Sequence, residues 1–121
     1  MGCTLSVVTG KPHIFAQRIL DHFELTRMFR GVHGSALADR QFTKTRLIHD
    51  ACAAVPELAG ATLMIGDRAD DVQSAKEARV HSLAVTWGYA GENELTTAQP
   101  DYMVDSPAQL VDCVRSLMGA G

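Results

Sequence analysis

One stretch constrains the fold of this chain more than any other: Ala61 to Val80, ATLMIGDRADDVQSAKEARV. It opens on an apolar run, Thr62-Leu63-Met64-Ile65, which reads as a central strand buried on both faces. Gly66 closes the run, and Asp67, Asp70 and Asp71 follow within five residues. Val72, Ala75, Ala78 and Arg79 then recur at helical spacing, with Gln73, Lys76 and Glu77 between them. Acid groups therefore stand at a strand-to-helix turn, on the carboxyl edge of a strand. In open α/β sheets that edge is where ligands bind.

Carboxylates packed this closely repel one another. A hard divalent cation with oxygen ligands is the usual way to offset that. Asp67 falls at the strand tip, and Asp71, four residues on, faces the same crevice. By the same spacing Asp70 points elsewhere, into solvent. The spacing is not that of an EF-hand loop and offers only two or three oxygens, so magnesium fits better than calcium. The plainer account is that Asp70 and Asp71 cap the helix, since acids favour that terminus. For Asp71 both accounts stand; for Asp67, after an apolar strand and a glycine, the metal reading is the stronger.

Elsewhere the chain alternates strands and helices. Thr4 to Thr9 is a β-rich run that Gly10-Lys11-Pro12 stops. Thr9 is thus expected at a strand tip, where its hydroxyl and the N–H groups of Gly10 and Lys11 could hold a phosphate oxygen. A simple helix cap at Thr9 or Gly10 explains the same pattern. Ile14, Phe15, Ile19, Leu20 and Phe23 give the next helix an apolar face. Met28 to Ser35 reads as a weak strand and Ala36 to Phe42 as a loop. Thr43 caps a helix from Lys44 to Val55, with Leu47, Ile48, Ala51 and Cys52 inward. Lys44 opposes the helix dipole there, which suggests a neighbouring anion, although a lone lysine is more often a surface group. Val80 to Val85 is a strand, Thr86 to Gly91 a glycine-broken loop, Glu92 to Ala98 a short helix or turn, and Pro100 to Val104 a last strand. Ser106-Pro107 opens a final helix with Leu110, Val111, Val114, Leu117 and Met118 as its core face. The expected architecture is α/β: a three-layer, Rossmann-like parallel sheet with helices on both faces, in one domain over 1–121.

Composition excludes several classes. A net charge of −3 in 121 residues argues against nucleic acid as the main partner. No apolar run is long enough to span a membrane. Cys3, Cys52 and Cys113 are few, odd in number and widely spaced, which fits reduced thiols in the core and a cytoplasmic setting. His13, His22, His33, His49 and His81 lack ligand spacing, and no glycine-rich nucleotide loop appears.

Taken together, Thr9 in LSVVTGKP, Lys44 in TKTRLI, and Asp67 with Asp71 in MIGDRADDVQSAK resemble the second, third and fourth motifs of the haloacid dehalogenase-like hydrolase superfamily. VTWGYAGENEL, PDYMV and SPAQL resemble its phosphoglycolate phosphatase branch. The resemblance runs from about Leu5 to Leu117. It implies magnesium-dependent hydrolysis of a small phosphorylated metabolite through an aspartyl-phosphate. By position, Thr9 would bind phosphoryl oxygens with Gly10 and Lys11, Lys44 would neutralise charge, Asp67 would hold magnesium and Asp71 would support it.

The superfamily's first motif, a DxD stretch carrying the nucleophile, should precede Thr9, and the eight residues before Thr9 contain no aspartate. The chain thus reads as a partial core domain without first strand or cap, inactive alone. The alternative is a non-catalytic binding or assembly module. Without a first strand two strand edges stand open, which leads us to expect a homodimer or a missing N-terminal portion.

Overall fold

The computed structural model describes residues 3–36 and 43–118. It divides into two compact units, one ending at Gly60 and one beginning at Ala61. The first holds β1 (Ser6–Pro12), α1 (His13–His22), β2 (Gly31–Ser35) and α2 (Lys44–Ala53), with a 3-10 turn at Thr26–Met28. The second holds β3 (Leu63–Gly66), α3 (Ala69–Ala78), β4 (His81–Val85), α4 (Glu94–Ala98), β5 (Tyr102–Val104) and α5 (Pro107–Leu117). Every strand pairing is parallel, so the chain is α/β with helical crossovers, as expected. The strands form two sheets among the described residues, β1-β2 and β3-β4-β5.

In the first unit β1 and β2 run in register from Ser6↔Gly31 to Val8↔His33, and pairing resumes at Pro12↔Ser35. The shift between Val8 and Pro12 is a bulge, so the strand does not stop at Thr9 as its Gly-Lys-Pro sequence suggests. Helix α1 turns only Ala16 and Leu20 inward, a narrow i, i+4 stripe. Ile14, Phe15, Ile19 and Phe23, expected in the core, are exposed. Periodicity identifies an apolar face; it does not say what covers it. Met28, Phe29 and Arg30 precede β2 instead of belonging to it. Thr43 caps α2 as expected, its hydroxyl accepting the Arg46 N–H at 3.2 Å. Leu47 and Ile48 are buried. The loop expected over 36–42 lies, beyond Ala36, outside the described residues.

In the second unit β4 is the middle strand, and Ser82 to Val85 are all buried. Its side chains alternate between two small cores. Ala84 packs with Val72 of α3 and Leu95 of α4. Leu83 and Val85 pack with Val104, Leu110 and Cys113. Since successive strand residues face opposite sides, α3 and α4 cover one face and α5 the other, giving three layers. The sequence placed β3 centrally; among the described residues it is instead an edge of this sheet, bonded to β4 alone, and Ile65 is 42% exposed. On α5, Ser106 caps through the Gln109 N–H and Pro107 takes the first turn. Its inward residues are Leu110 and Cys113, while Val111, Leu117 and Met118 are exposed. Of the three thiols, Cys3 is exposed rather than in the core.

Candidate active site

Asp67 follows directly on β3, at the carboxyl end of the three-stranded sheet. Its Oδ2 accepts the Tyr89 N–H at 3.0 Å. Tyr89 lies in the turn after β4, so the sheet brings two neighbouring strand ends together. Gly88 makes that approach possible. A Cβ there would stand 2.2 Å from Asp67 Oδ2 and 2.3 Å from its Cβ. Ile65, Gly66, Val85 and Trp87 complete a shallow hollow around this carboxylate.

Asp71 is 7% exposed in the first turn of α3. Its Oδ2 accepts two successive backbone N–H groups, Asp67 at 3.1 Å and Arg68 at 3.2 Å. The capping account of Asp71 is therefore realised, at the third helical position where an acid reaches back to the N-cap backbone. Asp71 thus meets Asp67 through the Asp67 main chain. Asp70 is exposed, as expected.

One further group, Glu94, was not legible from spacing. Glu94 Oε2 accepts Arg68 Nε–H at 2.9 Å and the Ala69 N–H at 2.8 Å. Its Oε1 accepts the Gly91 N–H at 3.1 Å. The backbone N–H of Ala69, then the Arg68 side chain and the Gly91 N–H, hold the Glu94 carboxyl down at about 2. A depressed carboxyl pKa contributes stability that is complete above its ordinary value of 4.5 and is lost as pH falls through about 2. The stability difference between wild type and Glu94→Gln, measured by urea unfolding, is thus expected to be constant from neutral pH to about 4.5 and to shrink toward pH 2. A difference that stays flat to pH 2 contradicts that assignment.

In the other unit Thr9 lies inside β1, not at its tip, within the bulged segment. Its hydroxyl accepts the Lys11 N–H at 3.2 Å. The N-cap of α1 is Pro12, with no side-chain cap, so neither Thr9 nor Gly10 caps that helix. Gly10 offers its carbonyl to the Ser35 hydroxyl at 3.2 Å, and Lys11 is exposed. Gly34 backs onto this bulge so closely that a Cβ would meet the Lys11 carbonyl oxygen at 2.7 Å. Lys44 is the first residue of α2. Among the described residues no group of three His, Cys, Asp or Glu side chains forms a ready metal cluster. No helix among them is long and apolar enough to cross a membrane.

A parallel α/β layout with an acid pair at a strand-to-helix turn defines a class, and comparison with known proteins identifies it. The haloacid dehalogenase-like hydrolase profile matches residues 1–85, and the chain belongs to that family. It is similar to a 5'-nucleotidase of Pseudomonas aeruginosa, 35% identical over 95% of this chain and 52% of the relative. A phosphoglycolate phosphatase of Aliivibrio fischeri is 33% identical over 86% of this chain and 46% of its own length. The crystal structure of a predicted phosphatase from Clostridium acetobutylicum superposes with a TM-score of 0.88 at 34% identity, over 95% of this chain and 53% of that one. The chain spans about half the length of the relatives it matches.

Proposed function

We propose that this chain is the C-terminal core portion of a magnesium-dependent phosphomonoesterase resembling phosphoglycolate phosphatase, and that it is inactive alone because it lacks the nucleophilic aspartate. One observation carries the reading. Asp67 stands at the carboxyl end of β3 with Oδ2 held by the Tyr89 N–H, while Oδ1 takes no hydrogen bond among the described residues. A carboxylate fixed by one oxygen and open at the other suits a hard cation, and magnesium takes one or two such ligands. Asp67 would hold the ion and Asp71 would support it. Bound there, the ion would neutralise phosphoryl charge. Thr9, with Gly10 and Lys11, would bind the phosphoryl oxygens, and Lys44 would offset their charge. These last roles rest on the resemblance and on the relatives' activities. The substrate is a small phosphorylated metabolite, and the setting cytoplasmic.

The test is phosphate release from a generic aryl phosphomonoester, beside magnesium titration calorimetry, for wild type and Asp67→Ala. We expect no release from either, and magnesium binding only in wild type. Release that Asp67→Ala abolishes would refute inactivity; equal magnesium binding in both would refute the metal role. A non-catalytic assembly module is the second reading, favoured by β3 having a single hydrogen-bonded strand neighbour among the described residues with Ile65 exposed. It requires a homodimer or a complementing N-terminal portion, and a concentration-independent monomer mass in light scattering rules out the homodimer.

A further inference from the structure

The turn Asp67-Arg68-Ala69 presents three successive backbone N–H groups. Asp71 takes the first two, and Glu94, the first residue of α4, takes the third. Glu94 also grips the Arg68 side chain. The segment between β4 and α4 meets the turn a second time where the Tyr89 N–H donates to Asp67 Oδ2. Two clamps, five residues apart in sequence, thus bracket Asp67. All three partners of Glu94 are donors: Arg68 Nε–H, Ala69 N–H and Gly91 N–H. Only a group that accepts through both oxygens satisfies them. A glutamine turns an NH2 toward at least one N–H, and an aspartate is one methylene too short to span the same positions.

We infer that Glu94 is a positioning residue: by clamping the Asp67-Arg68-Ala69 turn to the start of α4, it fixes where the Asp67 carboxylate points. The inference rests on the proposed role of Asp67 toward magnesium, although the clamp itself does not. Glu94 touches neither the ion nor a substrate in this account. It acts on Asp67 through the main chain, as outer groups tune metal ligands elsewhere.

The experiment uses the full chain as Glu94→Gln, with Arg68→Ala as a second variant that removes only an exposed side chain. Two quantities are read at neutral pH: amide hydrogen exchange at Asp67 and Arg68, and magnesium affinity by calorimetry. Glu94→Gln is expected to speed exchange at both amides relative to the rest of the sheet and to weaken magnesium binding about tenfold. Arg68→Ala should move both in the same direction by less. If wild type binds no magnesium but exchange still rises in the variants, the clamp stands and the metal role of Asp67 falls. Unchanged exchange at Asp67 and Arg68 overturns the inference, whatever magnesium does. Should Glu94→Gln not fold, unchanged exchange and affinity in Arg68→Ala overturn it equally.

Discussion

Gly66→Ala is expected to be among the most destabilising small substitutions in this chain. Gly66 ends β3 opposite Ala84, and α3 begins three residues later. A Cβ on Gly66 would lie 2.3 Å from Asp71 Oδ2 and 2.4 Å from its Cβ and Cγ. The obstacle is room, not backbone conformation. Because the clash includes the Asp71 Cβ, rotating the carboxylate cannot relieve it; the helix or strand must shift. Overpacking of this kind costs about 1–3 kcal/mol. If Asp71 is driven off its two N–H partners, each adds about 1–3 kcal/mol. We therefore expect a loss of about 3 kcal/mol or more, read in urea unfolding, and a thermal midpoint lower by roughly 10 °C. Gly60→Ala is the control, since a Cβ there meets nothing within 4 Å, and it should stay within about 0.5 kcal/mol of wild type. A Gly66→Ala variant as stable as Gly60→Ala would mean that the strand end yields freely.

The order of strands and helices was legible in the sequence because each rests on local signals. Apolar runs, the Thr43 and Ser106 caps and Pro107 mark the elements without reference to the rest of the chain. What covers each element was not legible. Ile65 reads as core from its run, yet β3 has one neighbour and leaves it exposed. Ile14 and Phe15 have helical period and still lie outside the narrow stripe that α1 buries. The Thr9 segment misleads for a different reason. Gly-Lys-Pro signals an end, but a bulge absorbs it and the strand rejoins β2 at Pro12.

At the candidate site, local spacing found Asp67 and Asp71, four residues apart. It could not find Glu94, whose contacts to Arg68 and Ala69 span 26 and 25 residues and exist only after β4 has paired beside β3. Nor could it see how the acids tolerate one another. Spacing alone points to a cation for that task. The structure supplies backbone N–H donors instead: two to Asp71, one to Asp67, and two to Glu94 beside the Arg68 guanidinium. Charge repulsion alone therefore does not demand a metal here, and the metal role of Asp67 rests on its remaining oxygen.

That distinction makes Asp71 the second large effect. Asp71→Ala leaves the Asp67 and Arg68 N–H groups without their acceptor at a site only 7% exposed. It also removes an anion from the first turn of α3, worth about 0.3–1 kcal/mol. At about 1–3 kcal/mol for each of the two stranded donors, the total loss should be roughly 2–7 kcal/mol. Asp71→Asn is the informative partner. Both N–H groups donate to the same oxygen, so one amide carbonyl can accept them both. Both of these hydrogen bonds can be kept while the charge is lost, and the expected cost is about 1 kcal/mol. If Asp71 does nothing but cap, Asp71→Asn will be nearly as stable as wild type and will bind magnesium as wild type does. If Asp71 also supports the ion, the same variant will keep its stability and lose magnesium affinity. Unfolding and calorimetry on this one pair of variants thus separate two roles that sequence spacing leaves level. An asparagine variant as unstable as the alanine would show instead that the negative charge, not the oxygen, holds the turn.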